Sequence, residues 1–309
     1  MVLVGCSSTS SVPEDDKLFT GLRKTGYENY EPCDHFYSTQ EEVEAALATT
    51  PNGALFGSPY YRIPSYRLWI YNAFEHSRGG IGKWMRTTFG KAPVLLSSVN
   101  PQLHAQVVRE LLRARGYFGG YVNYDVLTSD SSRTAKVKYN VNFGDLYTVD
   151  TLTYHNFPEE ANELIEKKAS ESLVKAGDPF DVSVLEAERT RISTLLRNNG
   201  FFYYQPSYAT YLADTIAEPG EVQVRLHYAD SLPAAVGRKW YVGRINLEMR
   251  KQSVLEQLKD TIRRRNYTIV YNGKREPMRR SVITRDMKIK PRKLYSYQDY
   301  QQTINTLTA

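Results

Sequence analysis

The segment LLRARGYF, at residues 111–118, recurs as LLRNNGFF at residues 195–202, which is 84 positions later. Apolar residues at helical spacing precede each copy, as Leu185 and Ile192 do before the second. The glycine in each copy suits the left-handed conformation that ends many helices. The two segments therefore predict a repeated unit in which a helix stops at the same place.

Each copy is followed by a pattern typical of a β-hairpin. Residues 121–127 and 135–141 alternate between apolar and polar side chains, and the polar turn 129–132 joins them. Residues 203–212 and 221–228 follow the second copy in the same way. Both units are therefore expected to end in a hairpin.

The second unit begins with a strand at residues 147–156 and a helix at 158–174, so its order is strand, helix, helix, strand, strand. A similar strand at 240–249 opens a third unit. Residues 304–307 match residues 192–195, and the sequence stops at Ala309. The third unit is therefore expected to lack its hairpin, and the sequence to be part of a longer protein.

The first unit is longer than the second. Its opening strand is predicted at residues 17–30 and its first helix from Ser38, where Glu41 completes a capping box. An insertion at residues 52–93 contains a short helix at 66–74.

Composition excludes several classes of protein. The 309 residues include 40 Lys and Arg against 34 Asp and Glu, a basic excess that is too small for an arginine-rich arm. A hydrophobic content of 41% excludes wholesale disorder, and no apolar run is long enough for a membrane-spanning helix. The 24 tyrosines favour sheets or aromatic binding surfaces.

The first residues read as a membrane tether. The sequence Leu-Val-Gly-Cys, which ends at Cys6, resembles the lipobox of bacterial lipoproteins, and a polar Ser-rich stretch follows it. We expect Cys6 to be acylated and Cys33 to be a buried or half-buried free thiol. The alternative is a chance apolar start with a buried Cys6.

A resemblance to a known family arises in the second unit. Residues 175–181 (KAGDPFD) lead into the helical pattern of 185–192 and then into the second LLRNNGFF copy. This order resembles polypeptide-transport-associated (POTRA) domains of the BamA/TamA family of outer-membrane assembly proteins. Residues 289–296 are similar to a degenerate copy of the same turn, with Arg292 in place of the glycine. With Cys6, the chain is most similar to the lipoprotein TamA-like (TamL) branch of Bacteroidetes.

The resemblance implies an α+β fold of tandem POTRA domains, in which each β-α-α-β-β unit has a three-stranded mixed sheet with two helices on one face. The expected segments are a tether at 1–16, a first domain at 17–146, a second at 147–236 and a truncated third at 239–309. The C-terminal β-barrel of the family is absent from this sequence.

The resemblance also implies a function and a location. The chain is expected to be a non-catalytic periplasmic scaffold, anchored to the outer membrane by lipid on Cys6. Implied partners are the protein's own barrel, unfolded outer-membrane protein clients, and a TamB-like or chaperone protein of the periplasm.

The edges of such sheets are the expected binding sites, because an edge strand has unpaired amides and carbonyls that can bind extended chain. In POTRA domains the first hairpin strand is usually an edge, which here means residues 121–127 and 203–212. Pro206 agrees with an edge position. The predicted contact residues are Tyr203, Tyr204, Tyr208, Ala209, Thr210 and Tyr211. The alternative function is a binding lipoprotein whose Tyr-rich face holds glycan or nucleic acid.

The sequence has few patterns that indicate metal binding or catalysis. The five histidines have no metal-binding spacing, and no cofactor or metal is expected. Glu186 and Glu188 are a possible carboxylate pair, whereas Asp178 and Asp181 are better suited to capping a helix near Val182. We therefore expect no enzyme. A basic cluster in the third unit is either a solvated face or a contact with a barrel rim, headgroups or a partner. Its members are Arg263, Arg264, Arg265, Arg279 and Arg280.

Overall fold

The computed structural model describes residues 9–75, 77, 79–129, 131–216, 218–250, 258–263, 267–272, 285 and 287–308. The chain divides into two compact units, one of Met1–Thr148 with Pro179–Asp181 and one of Val149–Asp178 with Val182–Ala309. The fold is α+β, as predicted, with three small sheets in the described residues. None of the described helices combines the length and the apolar character needed to cross a membrane.

The first unit consists of one sheet, with helices between its second and third strands. Its strands are β1 (Leu18–Leu22), β2 (Gly26–Glu28), β3 (Tyr121–Ser129) and β4 (Thr134–Asn142). Its helices are α1 (Asp34–Leu47), α2 (Tyr66–Ala73), α3 (Gly80–Thr88), α4 (Leu96–Val99) and α5 (Pro101–Ala114). β3 pairs antiparallel with β4 along its whole length, and β1 and β2 both run parallel to β4.

The opening strand of this unit is broken, contrary to the prediction of one strand over residues 17–30. Residues 23–25 separate β1 from β2, and within β1 the register against β4 shifts between Phe19 and Leu22. Gly21 lies at this register shift, where its φ of +112° is open mainly to glycine and a Cβ would lie 2.6 Å from the Pro59 carbonyl oxygen.

The first helix begins four residues before the predicted Ser38. The Sγ of Cys33 accepts a hydrogen bond from the Phe36 amide at the helix N-terminus, and Asp34 stands in the first turn. Cys33 is an exposed free thiol, so the expectation of a buried or half-buried side chain was wrong. Its place at a helix cap, rather than in the apolar stripe of α1, explains the exposure.

The core of the first unit lies between the sheet and helices α1 and α5. Along β4, Val137, Tyr139 and Val141 are fully buried and alternate with more exposed residues. They pack against a cluster of helix residues that includes Phe36, Val43, Leu47, Val108 and Leu112. Burial raises the pKa of the Tyr139 hydroxyl to about 12.

The second unit begins with the predicted order of strand, helix, helix, strand, strand. The elements are β5 (Thr148–His155), α6 (Glu159–Lys167), α7 (Val182–Asn198), β6 (Ala209–Asp214) and β7 (Glu221–Tyr228). The strand order is β5-β7-β6, so the last strand is central. Helix α6 is shorter than the predicted 158–174, because the backbone leaves the α conformation at Lys168 and continues as a short 3₁₀ turn.

The same unit continues with β8 (Ile245–Glu248), β9 (Asp260–Arg263), β10 (Tyr267–Tyr271) and α8 (Tyr297–Thr308). These strands form a sheet in the order β8-β10-β9, with β9 and β10 antiparallel. This antiparallel pair differs from the hairpin that the third repeat is expected to lack, because that hairpin follows the second helix in the other two repeats. The β9 and β10 pair lies before α8 and was not predicted from the sequence.

The repeated turn keeps its geometry where arginine replaces glycine. The Gly177 amide donates to the Val149 carbonyl at 2.8 Å, and the Arg292 amide donates to the Val242 carbonyl at 2.7 Å. Both Gly177 and Arg292 have positive φ, of 86° and 67°. The turn at Arg292 is therefore a structural copy of the turn at Gly177, although a side chain in this conformation costs about 1 kcal/mol.

The glycines that end the repeated helices have the predicted left-handed conformation, with φ of +86° at Gly116 and +99° at Gly200. A Cβ on Gly200 would lie 2.6 Å from Cδ1 of Leu294, which follows the Arg292 turn. The Gly200 carbonyl accepts a hydrogen bond from the Trp240 amide at 2.8 Å. This glycine thus permits both the helix end and the close approach of the following turn.

A buried ionic network holds helix α7 in the second unit. The carboxylate of Glu188 is fully buried and accepts hydrogen bonds from Arg191 at 2.7 and 2.8 Å, from the Tyr154 hydroxyl at 2.9 Å and from the Leu173 amide at 3.0 Å. Burial alone would raise the pKa of Glu188, but these hydrogen bonds and the Arg191 charge lower it overall. Glu188 therefore has a structural role in the second unit.

Glu188→Gln should destabilise the second unit by about 3 kcal/mol at pH 7, because Arg191 is left without its carboxylate. The folded-state pKa of Glu188 lies below its unfolded value, so its contribution is present above about pH 4.3 and is lost as the pH falls further. Urea unfolding at pH 7 and pH 3 measures both effects. The control is Glu186→Gln, which removes an exposed pair with Arg189 and should change stability by less than about 1 kcal/mol. Equal losses for the two variants would contradict the assignment.

Gly200→Ala should destabilise the second unit by about 2 kcal/mol, through both the positive φ and the contact with Leu294. Gly220→Ala is the matched control, since Gly220 has a φ of +82° but no atom within 4 Å of the position that a Cβ would take. Urea unfolding should show a smaller loss, of about 1 kcal/mol, for the control. A loss at Gly200 no larger than at Gly220 would show that the close approach is unimportant.

Candidate partner-binding strand edges

The hairpin strand of the second repeat, β6, lies at a sheet edge and pairs only with β7 among the described strands. It spans Ala209–Asp214 and is shorter than the predicted 203–212. Pro206 lies in a 3₁₀ turn before the strand, so its presence says nothing about the edge. Ala209, Thr210 and Tyr211 are in the strand, as predicted.

The tyrosines before β6 do not form the predicted contact row. Tyr204 is buried in the core, where its ring stacks on Tyr228, and Tyr208 is half-buried. Tyr203 is exposed but packs edge-to-face against Phe202 and Trp240. Burial raises the pKa of the Tyr204 hydroxyl, which has no hydrogen-bond partner in the described structure. The error has a physical reason, because the 3₁₀ turn ends the strand alternation on which the prediction relied.

The backbone phase of β6 decides which peptide groups are open. The Ala229 amide donates to the Tyr208 carbonyl, which fixes the hydrogen-bonding pattern of the hairpin. The amides and carbonyls of the even-numbered residues of β6 therefore point toward β7, and those of the odd-numbered residues point away from it. Arg189 donates to the outward carbonyl of Ala209, and the Ala209 amide bonds to Pro206. The open groups of β6 are therefore those of Tyr211 and Ala213. A depression of about 380 Å³ borders this end of the strand, beside Leu212 and Ala213.

The hairpin strand of the first repeat, β3, presents a longer edge. The carbonyls of Arg133 and Val137 accept hydrogen bonds from the amides of Leu18 and Arg23, on the side of β4 opposite to β3. The backbone amides and carbonyls of the odd-numbered residues along β4 therefore point away from β3. Since the register pairs Tyr121 with Asn142, the amides and carbonyls of the odd-numbered residues of β3 point toward β4. Four residues of β3 consequently direct their amides and carbonyls outward: Val122, Tyr124, Val126 and Thr128.

The side chains of β3 are incompletely covered. Tyr124 and Val126 lie opposite the buried Tyr139 and Val137, and so on the core face of the sheet, yet each is 38% exposed. An added strand would extend this face and remove more of their apolar surface from water. β3 contains neither Lys nor Pro, the residues that often protect an edge from pairing, and Asp125 is its one charged residue.

Loops bond part of the opposite edge of each sheet. At β1, the Phe19 amide donates to the Val94 carbonyl at 2.8 Å, and the Leu96 amide donates to Lys17. At β5, Val149 receives and donates hydrogen bonds with Gly177 and Asp178. In the first unit the geometry therefore favours β3 as the available edge, whereas along the outer side of β5 the loop bonds only Val149. Sequence reasoning placed its site residues on β6, whereas the longer alternation at residues 121–129 was the better signal.

The remaining predicted site residues are not assembled into a site by the described structure. Arg263 ends β9 and is exposed. Arg264, Arg265, Arg279, Arg280 and Cys6 lie outside the described residues. Asp181 pairs with Arg115, which also binds Glu42, within the first unit. The described residues contain no group of three His, Cys, Asp or Glu side chains suited to a metal ion.

Comparisons with solved structures find low-identity likenesses that span most of the chain. BamA POTRA3-5 of Haemophilus influenzae is 13% identical, with a TM-score of 0.41, and the alignment covers 96% of this chain and 88% of that one. POTRA1-3 of the periplasmic domain of Omp85 from Anabaena is 10% identical, with a TM-score of 0.31 and coverages of 95% and 84%. The N-terminal domain of Omp85 from Thermosynechococcus elongatus is 12% identical, with a TM-score of 0.26 and coverages of 94% and 85%. No family model and no curated protein matches the sequence.

Proline at adjacent positions of β6 tests the backbone phase. Ala213→Pro removes an outward amide and should change the stability of the second unit by less than about 1 kcal/mol. Leu212→Pro removes an amide that faces Arg225 of β7 and should cost about 2 kcal/mol. Urea unfolding of the two variants gives the comparison. A larger loss for Ala213→Pro than for Leu212→Pro would reverse the assigned phase.

Proposed function

We propose that this chain is the periplasmic POTRA region of an outer-membrane protein assembly or translocation factor, and that it binds extended segments of client proteins by strand addition. The observation that carries the proposal is the open edge of β3, where four consecutive outward positions have unpaired backbone groups. The β-α-α-β-β order of the second repeat and the Gly-Asp-x-Phe turn that starts at Gly177 support the POTRA assignment.

Strand addition suits a protein with many clients. The affinity comes from main-chain hydrogen bonds, each contributing about 1 kcal/mol net, so few demands are made on the sequence of the bound chain. Side-chain selectivity comes from the partly exposed Tyr124 and Val126, which favour apolar residues at alternate positions of the client. Because binding also costs ordering entropy, such contacts are weak and reversible. Reversibility is what a delivery scaffold requires.

The edge of β6 is a secondary site in this proposal. Its two open residues, Tyr211 and Ala213, supply fewer hydrogen bonds than β3. A client, or a periplasmic partner of the TamB-like or chaperone kind, would bind at either edge.

The location belongs to the same proposal. Acylation of Cys6 would tether the chain to the outer membrane on its periplasmic side, since the polar Ser-rich stretch behind it resembles a lipoprotein linker. Scaffold function also implies that the chain does no catalysis. The roles of Glu188 and Asp181 in structural ion pairs support this reading.

The decisive experiment compares proline at two neighbouring residues of β3. Val126→Pro removes an outward amide and should weaken binding of a ten-residue peptide of alternating Tyr or Val and Thr by at least about tenfold, while the thermal midpoint changes little. Leu127→Pro removes an amide that faces Lys136 and should lower the stability of the first unit by about 2 kcal/mol. Fluorescence anisotropy and thermal unfolding supply the two measurements. Unchanged peptide affinity in a folded Val126→Pro variant would refute strand addition at β3.

A further inference from the structure

The insertion, residues 52–93, carries most of the net charge of the chain. It contains six Lys and Arg residues and one carboxylate, Glu75, so it accounts for five of the six net positive charges of the protein. Five of the six cations are described: Arg62, Arg67, Lys83, Arg86 and Lys91. None of these five forms an ion pair with a described carboxylate. The basic excess is therefore concentrated in about one seventh of the chain and is not neutralised there.

The two helices of the insertion expose apolar and aromatic side chains at helical spacing. On α3, Ile81 is 81% exposed and Trp84 is 55% exposed, and no residue of this helix is buried. On α2, Tyr66 and Trp69 are each more than half exposed, at the same three-residue spacing. Residues three apart lie on one face of a helix, so each helix presents an apolar stripe to solvent.

A further exposed apolar side chain lies in the loop before these helices. Phe56 is fully exposed in a 3₁₀ turn and has a φ of 50°, which bulky residues avoid. A strained and solvated Phe does nothing for the stability of the isolated unit. Its position is explained if the loop inserts into an apolar environment outside the protein.

The Lys and Arg residues of the insertion indicate which environment this is. Exposed Trp and Tyr beside Ile, interspersed with unpaired Lys and Arg, is the composition of helices that lie in the interface of a bilayer with anionic headgroups. We propose that the insertion docks on an anionic phospholipid surface, with Ile81, Trp84 and Phe56 entering the boundary between headgroups and acyl chains. The cations of the insertion, among them Lys83 on α3, then bind the headgroup phosphates.

This inference goes beyond the proposed function and does not depend on it. The insertion lies before β3 in sequence and contributes no strand to the sheet. Loss of lipid binding should therefore leave peptide binding at the β3 edge unchanged. The reverse should hold for the Val126→Pro variant.

The first experiment measures flotation of the full chain with vesicles, using Cys6→Ser protein so that acylation does not contribute. Vesicles of phosphatidylethanolamine with about 30% phosphatidylglycerol should bind the protein, and pure phosphatidylcholine should bind it at least about tenfold more weakly. Raising the salt to about 0.5 M should weaken the anionic binding, because the attraction is screened. Equal binding to both vesicles, or binding to neither, would overturn the proposal.

Two exposed isoleucines provide a matched pair of variants. Ile81→Glu should weaken anionic vesicle binding by at least about tenfold, because an apolar anchor becomes an anion. Ile216→Glu, at a residue of the second unit that is 91% exposed, makes the same chemical change and should weaken it less than about twofold. Lys83→Gln and the exposed Lys24→Gln form a second pair that isolates charge. Equal effects within each pair would show that the insertion is not the contact.

Phe56→Asn separates binding from folding. Asn tolerates a positive φ better than Phe, so this variant should keep or raise the thermal midpoint while weakening vesicle binding about threefold or more. Trp fluorescence with brominated lipid should show quenching that Trp84→Ser reduces. If the exposed face instead retained a soluble acidic protein and ignored vesicles, the lipid assignment would be wrong and the surface would belong to a protein partner.

Discussion

In each sheet that contains a hairpin, the pairing of the central strand determines which backbone groups remain unpaired at the sheet edge. In the first repeat, β4 pairs with β1 and β2 on one side and with β3 on the other, and in the second repeat β7 lies between β5 and β6. Both sides of the central strand are thereby used. The first hairpin strand is left with one row of backbone groups that nothing in its own sheet pairs. Loops bond parts of the far edges, at Phe19 of β1 and at Val149 of β5.

A second constraint recurs at the ends of the helices. Gly116 and Gly200 both adopt positive φ, and their carbonyls accept hydrogen bonds from the amides of Tyr147, just before β5, and of Trp240, which precedes β8. At Gly200 the space that a Cβ would occupy is taken by Leu294. The repeated sequence signature is thus a signature of backbone geometry. Arg292 shows that the accompanying turn tolerates a side chain when its hydrogen bonds are kept.

The sequence predicted the parts of the fold that depend on periodicity and failed where local conformation overrides it. The alternation of Val137, Tyr139 and Val141 identified the central strand, and the LLRNNGFF segment identified the helix end. The 3₁₀ turn at Pro206 removed Tyr203, Tyr204 and Tyr208 from the predicted strand, because short turns leave no periodic pattern. Which amides of β3 face outward depends on the register against β4, and the register required the structure. The concentration of charge in residues 52–93 was visible in the sequence, but the exposure of Ile81 and Trp84 was not.

Amide hydrogen exchange along β3 tests the central claim most directly, because it reads the phase of the open edge residue by residue. In the free protein, the amides of Tyr124, Val126 and Thr128 should exchange fast, while those of Asn123, Asp125 and Leu127 are protected by β4. Adding the alternating peptide should slow exchange at the three even-numbered residues and leave the odd-numbered ones unchanged. Protection of the even-numbered amides in the free protein, or no change when the peptide binds, would contradict the account.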